Sequence, residues 1–123
     1  MINFSRDPDK YQAVGAFMAR VGDISDEMDL FCRLSEALHF PENAGGGWNG
    51  IDDELRDLSW IAEKEVVIVH TDVPQLHPVA WQTYISILSY AVDAWENDDE
   101  HHLTVIFPED AHPNVQAALR GLE

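Results

Sequence analysis

The most regular pattern of apolar and polar positions in the chain runs from Val79 to Glu96. Apolar side chains recur at every third or fourth position, while Gln82, Ser86 and Ser89 fall on the opposite side. This spacing is typical of an amphipathic helix whose apolar face packs on a core. The sequence therefore predicts one long helix here. Its inward face would carry Trp81, Tyr84, Ile85, Leu88, Ala91, Val92 and Trp95.

Three shorter apolar runs predict strands. Glu65–His70 and Leu103–Phe107 are continuous runs rich in β-branched residues, which is typical of strands buried on both faces of a parallel sheet. The run Ala13–Ala19 contains a glycine and is short enough to form either a strand or a weak helix. We interpret it as a strand, so the prediction is a three-stranded sheet.

A second helix signal follows the first apolar run. Ser25 and Asp26 supply a polar cap, and the acidic residues after them suit the positive end of a helix dipole. Pro41 ends the segment, because it disfavours helical geometry at the residue before it. The apolar stripe of this predicted helix consists of Leu30, Phe31, Leu34 and Leu38.

A glycine-rich loop leads into a third helix, which begins at Trp48 or Asn49 and ends near Leu58. A last short helix is predicted for Pro113–Leu119. The first dozen residues are polar, contain Pro8 and predict an irregular arm. Strands that alternate with helices indicate a small α/β domain with a mainly parallel sheet that helices cover.

Charge narrows the classes of partner. The chain has 123 residues, a formal net charge of −16 and a pI of about 4.4. Such a chain repels nucleic-acid phosphates and anionic membrane surfaces, whereas a basic macromolecule, a metal ion or a cationic ligand remains compatible with it. Its single Cys excludes an intramolecular disulfide, and no segment has the length of a membrane span. We expect a soluble, cytoplasmic protein.

Three features could carry other chemistry, and each has a simpler structural interpretation. The loop Ala44–Gly47 precedes a helix, as phosphate-binding loops do, but a helix precedes it and no lysine follows. The histidines show no metal-ligand spacing, because adjacent His101 and His102 would point to opposite faces of a strand. Cys32 has acidic neighbours, the wrong setting for a reactive thiol. No cofactor and no metal are predicted.

The short helix after the glycine-rich loop has a strongly acidic outer side. Asn49, Asp53 and Asp57 lie one above the next, opposite the apolar arc. Asp52 and Arg56 have the spacing of an ion pair along a helix. Two interpretations remain open from these residues: a solvated acidic face, or an acidic ridge that enters a basic cleft.

The residues around this short helix have the order and spacing of a known motif. It comprises Leu38-His39-Phe40-Pro41-Glu42, Gly45, Trp48-Asn49, Ile51, Asp53, Leu55, Asp57-Leu58 and Trp60. This motif resembles that of the barstar family of ribonuclease inhibitors. The close likeness covers Leu30–Trp60, and a looser one extends to Phe107.

The resemblance implies an α/β fold with a small three-stranded parallel sheet packed by helices. The length of the chain predicts one domain over residues 1–123, in which residues 1–12 form an N-terminal arm and residues 108–123 a C-terminal extension beyond the likeness. The resemblance also implies a function: a non-enzymatic, monomeric inhibitor that occludes the basic active site of a ribonuclease or related bacterial toxin, with no cofactor.

The resemblance places the main contact at Asp53. The full set of expected partner-binding residues is Asn43, Gly45, Gly46, Asn49, Asp52, Asp53, Arg56, Asp57 and, at the end of the long helix, Glu96. Asn43, Asn49, Asp52 and Arg56 stand where the family's prototype has an aromatic residue, an aspartate, a tryptophan and a threonine. Because Arg56 would oppose a basic cleft, a binding module whose partner is not a nuclease stays open as an alternative. A separate alternative is a metal-dependent hydrolase that uses His and Asp or Glu.

Overall fold

Four strands form one parallel sheet in the computed structural model, which describes residues 1–42 and 44–122. The strands are β1 (Ile2–Ser5), β2 (Phe17–Val21), β3 (Glu65–His70) and β4 (His102–Pro108). They lie in the order β1-β4-β3-β2, and each neighbouring pair is parallel. The α/β class is confirmed, and the sheet has four strands rather than the predicted three.

The fourth strand comes from the N-terminal segment, so the prediction of an irregular arm there is wrong. Ile2 of β1 pairs with Val105 and Phe4 pairs with Phe107. Ile2 and Phe4 pack on the main core, while Asn3 between them is exposed. A run of four residues that is half polar carries little strand signal of its own, and the free edge of β4 supplies the hydrogen bonds that order it.

The strand predicted at Ala13–Ala19 is shifted toward the C-terminus. In β2, Phe17 pairs with Val66 and Val21 pairs with His70. Ala13 and Ala16 precede the strand and pack on the opposite face of the sheet from the helices. Periodicity could not set this boundary, because a short apolar run has no internal register signal.

Four α-helices cover one face of the sheet. They are α1 (Glu27–Ala37), α2 (Gly47–Asp57), α3 (Pro78–Glu96) and α4 (His112–Arg120). All four lie within a few residues of predicted helices. Asp26 caps α1 as expected, because its carboxylate accepts a hydrogen bond from the backbone N–H of Asp29 at 2.8 Å. The residues of α4 are part of the packed domain, since Val115 and Ala118 lie in the main core.

The segment from Pro8 to Ala16 covers the other face of the sheet. Its residues Tyr11, Ala13 and Ala16 pack on a second apolar cluster formed by Val67, Val69 and Ile106. The β1–β2 connection crosses the sheet in the opposite direction from the β2–β3 and β3–β4 connections. Since crossover connections between parallel strands share one hand, the β1–β2 connection has to run over the face of the sheet that the helices leave uncovered.

Arg20 in β2 ties this covering segment to the sheet. Its guanidinium donates to the carbonyl oxygen of Pro8 at 2.8 Å and to that of Tyr11. Within residues 1–42 and 44–122, no helix has both the length and the apolar character needed to cross a membrane.

Replacement of Arg20 by methionine keeps the apolar stem and removes both hydrogen bonds. We expect the free energy of unfolding to fall by about 1.5–3 kcal/mol, the range for hydrogen bonds made by a charged group. Urea denaturation measures this change, and limited proteolysis within residues 8–16 reports detachment of the segment. The exposed Arg33→Met serves as the control and should change stability by less than about 0.5 kcal/mol. Equal stability of Arg20→Met and the wild type would contradict the role of Arg20.

Candidate functional site

The helix α2 divides into a buried side and an exposed side, as predicted. Ile51 and Leu55 lie in the core. Asn49, Asp53 and Asp57 are exposed. The side chain of Asp53 is 73% exposed, so its carboxylate is free to meet a partner.

Two tryptophan indoles tie α2 to neighbouring helices, and a third ties the segment that follows it. The Nε1–H of Trp48 donates to Glu27 Oε2 at 3.0 Å, at the beginning of the helix. The Nε1–H of Trp95 donates to the carbonyl oxygen of Leu55 at 2.8 Å, in the last turn, where helical carbonyls have no partner within the helix. Beyond the helix, the Nε1–H of Trp60 donates to the carbonyl of Leu38 at 2.9 Å. The exposed side of α2 is therefore presented by a helix tied to α1 and α3.

Glu27 also connects the beginning of α2 to the beginning of α3. Its Oε1 lies 2.8 Å from His77 Nε2. His77 caps α3 with Nδ1, which accepts a hydrogen bond from the backbone N–H of Ala80 at 3.3 Å. Because Nδ1 is the acceptor, Nε2 carries the proton and donates it to Glu27. Sequence reasoning treated Glu27 only as a residue that favours the start of a helix.

Gly50 allows the glycine-rich loop to lie directly on α2. It is buried, and a Cβ at this position would overlap the carbonyl oxygen of Gly45. Sequence reasoning missed this role, although a glycine inside a helix is itself a signal, since it costs about 1 kcal/mol relative to alanine. Gly45 and Gly46 are both exposed, as expected for contact residues. Asn43, predicted as a contact residue, lies outside the described residues.

The predicted ion pair between Asp52 and Arg56 is present. Arg56 Nη2 lies 2.9 Å from Asp52 Oδ2 and 3.8 Å from Asp53 Oδ1. A cation thus sits among the carboxylates of α2. On the flank of the helix, the pKa of Glu54 is raised above its ordinary value. Burial of its carboxyl group is the largest cause, and the nearby carboxylates of Asp57 and Asp53 add to it. The exposed side of α2 is therefore acidic with one fixed positive charge.

Comparison with protein families places this site in a known family. The family model described as Barstar (barnase inhibitor) matches residues 15–108. The chain belongs to the barstar family. No curated protein and no solved structure gave a match. The matched range includes the glycine-rich loop, the three indole donors and all of α2, and it leaves β1 and α4 outside.

Glu96, which the barstar resemblance places among the contact residues, is exposed at the end of α3. It lines a groove of about 580 Å³ together with Asp93, Ile2, Leu103 and Leu119. Among the residues that the structure describes, none from α2 lines this groove. Glu96 stays a proposed contact residue, and the structure places it beside this groove.

Histidines and the single cysteine were the sequence's candidates for metal binding or thiol chemistry. His70 is fully buried, its Nε2 lies 2.7 Å from Tyr84 Oη, and its ring stacks on Phe107 with centroids 4.6 Å apart. Cys32 is a free, exposed thiol. The described residues contain no group of three or more His, Cys, Asp or Glu side chains able to hold a metal ion. The metal-hydrolase alternative therefore has no cluster to support it in this part of the chain.

Proposed function

We propose that this barstar-family protein is a non-enzymatic inhibitor that binds the basic active site of a ribonuclease or related bacterial toxin. One observation carries the proposal: Asp53 presents a carboxylate that is 73% exposed on a helix tied to its neighbours by two indole hydrogen bonds. The family description, barnase inhibitor, supports the same class of target. Asp53 is the central contact, and the surrounding contacts are Asn43, Gly45, Gly46, Asn49, Asp52, Arg56, Asp57 and, at the end of α3, Glu96.

The mechanism combines occlusion with imitation of substrate phosphates. A rigid helix loses little conformational entropy on binding, so more of the interaction free energy appears as affinity. The net charge of −16 attracts a basic target over long range and raises the association rate by roughly 10- to 1000-fold at low salt. The same charge opposes direct binding of nucleic acid. We propose that the protein acts as a monomer in the cytoplasm, without a cofactor.

Asp53→Asn tests the proposal. We expect it to weaken target binding by about 2 kcal/mol or more, roughly thirtyfold, because the cation that receives Asp53 loses its charged partner. The target is captured from the native host on the wild-type protein. Its ribonuclease or toxin activity is then titrated with the wild type and with the variant.

Asp9→Asn is the matched control, because it removes one exposed carboxylate far along the chain from α2. We expect it to change affinity by less than about threefold, since it acts only through the long-range field. The proposal is wrong if capture yields no basic nuclease or toxin, or if Asp53→Asn inhibits the captured target as well as the wild type does.

A second candidate function is a binding module whose partner is not a nuclease. The observation that favours it is the guanidinium of Arg56, which lies 3.8 Å from the carboxylate of Asp53 and would meet the cations of a basic cleft. Gene neighbourhood separates the two functions: an adjacent gene for a secreted nuclease or toxin favours the inhibitor.

A further inference from the structure

Arg56 is held on the exposed side of α2 by contacts within the helix. Its Nη2 donates to Asp52 Oδ2 at 2.9 Å, and its Nε donates to the backbone carbonyl of Asp52 at 3.4 Å. The same Nη2 lies 3.8 Å from Asp53 Oδ1. The guanidinium is thus hydrogen-bonded to the carboxylate of Asp52 and lies near that of Asp53, and its side chain is still 48% exposed.

This geometry changes what a partner meets at Asp53. A cation that binds the Asp53 carboxylate comes close to the Arg56 guanidinium, and the two like charges repel each other. The guanidinium has five N–H donors, and its contacts within α2 involve only Nε and Nη2. A partner that places an acceptor beside its cation satisfies both Asp53 and Arg56, whereas a cleft that is basic throughout satisfies only Asp53.

We propose that Arg56 is a specificity-determining residue that selects a target with a carboxylate beside the basic group that receives Asp53. This inference rests on the proposed inhibitor function and adds the chemistry of the target. The side chains of α2 then present an alternation of negative, positive and negative charge. Arg56 discriminates between targets in two ways. It attracts a cleft that has a carboxylate beside its basic group, and it repels a cleft that is basic throughout.

The test compares how one variant, Arg56→Gln, binds or inhibits two different targets. Against the target captured from the native host, we expect affinity to fall at least about tenfold, because the target's carboxylate loses its partner. Against barnase, the ribonuclease that the family description names, we expect the concentration for half-inhibition to fall at least about tenfold. Changes of opposite sign on the two targets support the inference.

Arg120→Gln is the matched control, because it makes the same change of net charge at an exposed site on α4. We expect it to change either titration by less than about threefold. Equal effects of Arg56→Gln and Arg120→Gln overturn the inference, because they would reflect net charge alone. Failure of both the wild type and Arg56→Gln to inhibit barnase also overturns it, since removal of the guanidinium would then not admit that target.

A charge exchange identifies the carboxylate. Arg56→Glu should lose binding to the captured target, and replacement of one Asp or Glu at the target's cleft by lysine should restore it. Absence of recovery with every such carboxylate contradicts the inference. If Asp53→Asn weakens binding while Arg56→Gln does not, the proposed function stands and the role of Arg56 is wrong. The barnase titration needs no captured target, so the two failures are distinguishable.

Discussion

Replacement of His70 by phenylalanine is expected to remove a proton-linked loss of stability of about 3 kcal/mol between pH 7.5 and pH 4.5. Burial lowers the pKa of His70 from its ordinary value of 6.5 to about 3. Below pH 6.5 the unfolded chain therefore binds a proton that the folded chain excludes. Stability falls with decreasing pH through this window, at up to about 1.4 kcal/mol per pH unit.

The measurement is the free energy of unfolding from urea denaturation at several pH values. In His70→Phe, the free energy of unfolding should depend less steeply on pH than in the wild type, by the contribution of one proton. The reason is that phenylalanine fills the place beside Phe107 without titrating. Tyr84→Phe is the control: it removes the hydroxyl that lies 2.7 Å from His70 Nε2 and leaves the histidine buried. It should lower stability by about 1–3 kcal/mol and keep the slope. An unchanged slope in His70→Phe would show that the buried imidazole is not the linked group.

Replacement of Gly50 by alanine is expected to displace the glycine-rich loop and to weaken target binding at least about tenfold. The added Cβ overlaps the carbonyl oxygen of Gly45, which is backbone and has to retreat. Alanine also favours the helix by about 1 kcal/mol over glycine, so global stability should change little while the loop moves. Backbone amide shifts of Gly45 and Gly46 report the displacement, and the captured target reports the affinity.

Gly46→Ala provides the matched control. Gly46 has a φ of −90°, and a Cβ there meets no heavy atom within 4 Å, so alanine fits without moving the loop. Only the amides of residues 45–47, next to the substitution, should shift, whereas in Gly50→Ala the amide of Ala44 should shift as well. If Gly50→Ala leaves the Gly45 amide where it is in the wild type, the contact between loop and helix does not set the loop's position.

Much of the fold follows from local pattern. The strand Glu65–His70 and the long helix ending at Glu96 were predicted within one residue of their bounds, because each carries a strong apolar signal along its whole length. The prediction that Asn49, Asp53 and Asp57 share an exposed side is also confirmed. Helical periodicity alone decides which residues share a side, so tertiary contacts were not needed.

Other features of the site have no local signal. Trp95 donates to the carbonyl of Leu55, 40 positions earlier, and Glu27 accepts from Trp48, 21 positions later. Neither contact is visible until the helices pack. The same holds for Glu96, whose position at the end of α3 was predicted but whose neighbours in the groove come from β1, β4 and α4.

The sequence by itself determined the α/β class, the helices, two of the strands and the acidic side of α2 with its Asp52–Arg56 pair. These depend on periodicity, capping and spacing within one element. Only the tertiary structure decided that residues 2–5 form a fourth strand, that Gly50 seats the loop, and that Glu96 lines a groove with residues of β1, β4 and α4. The physical reason is that strand pairing, close backbone approach and side-chain direction depend on which distant surfaces meet when the chain packs.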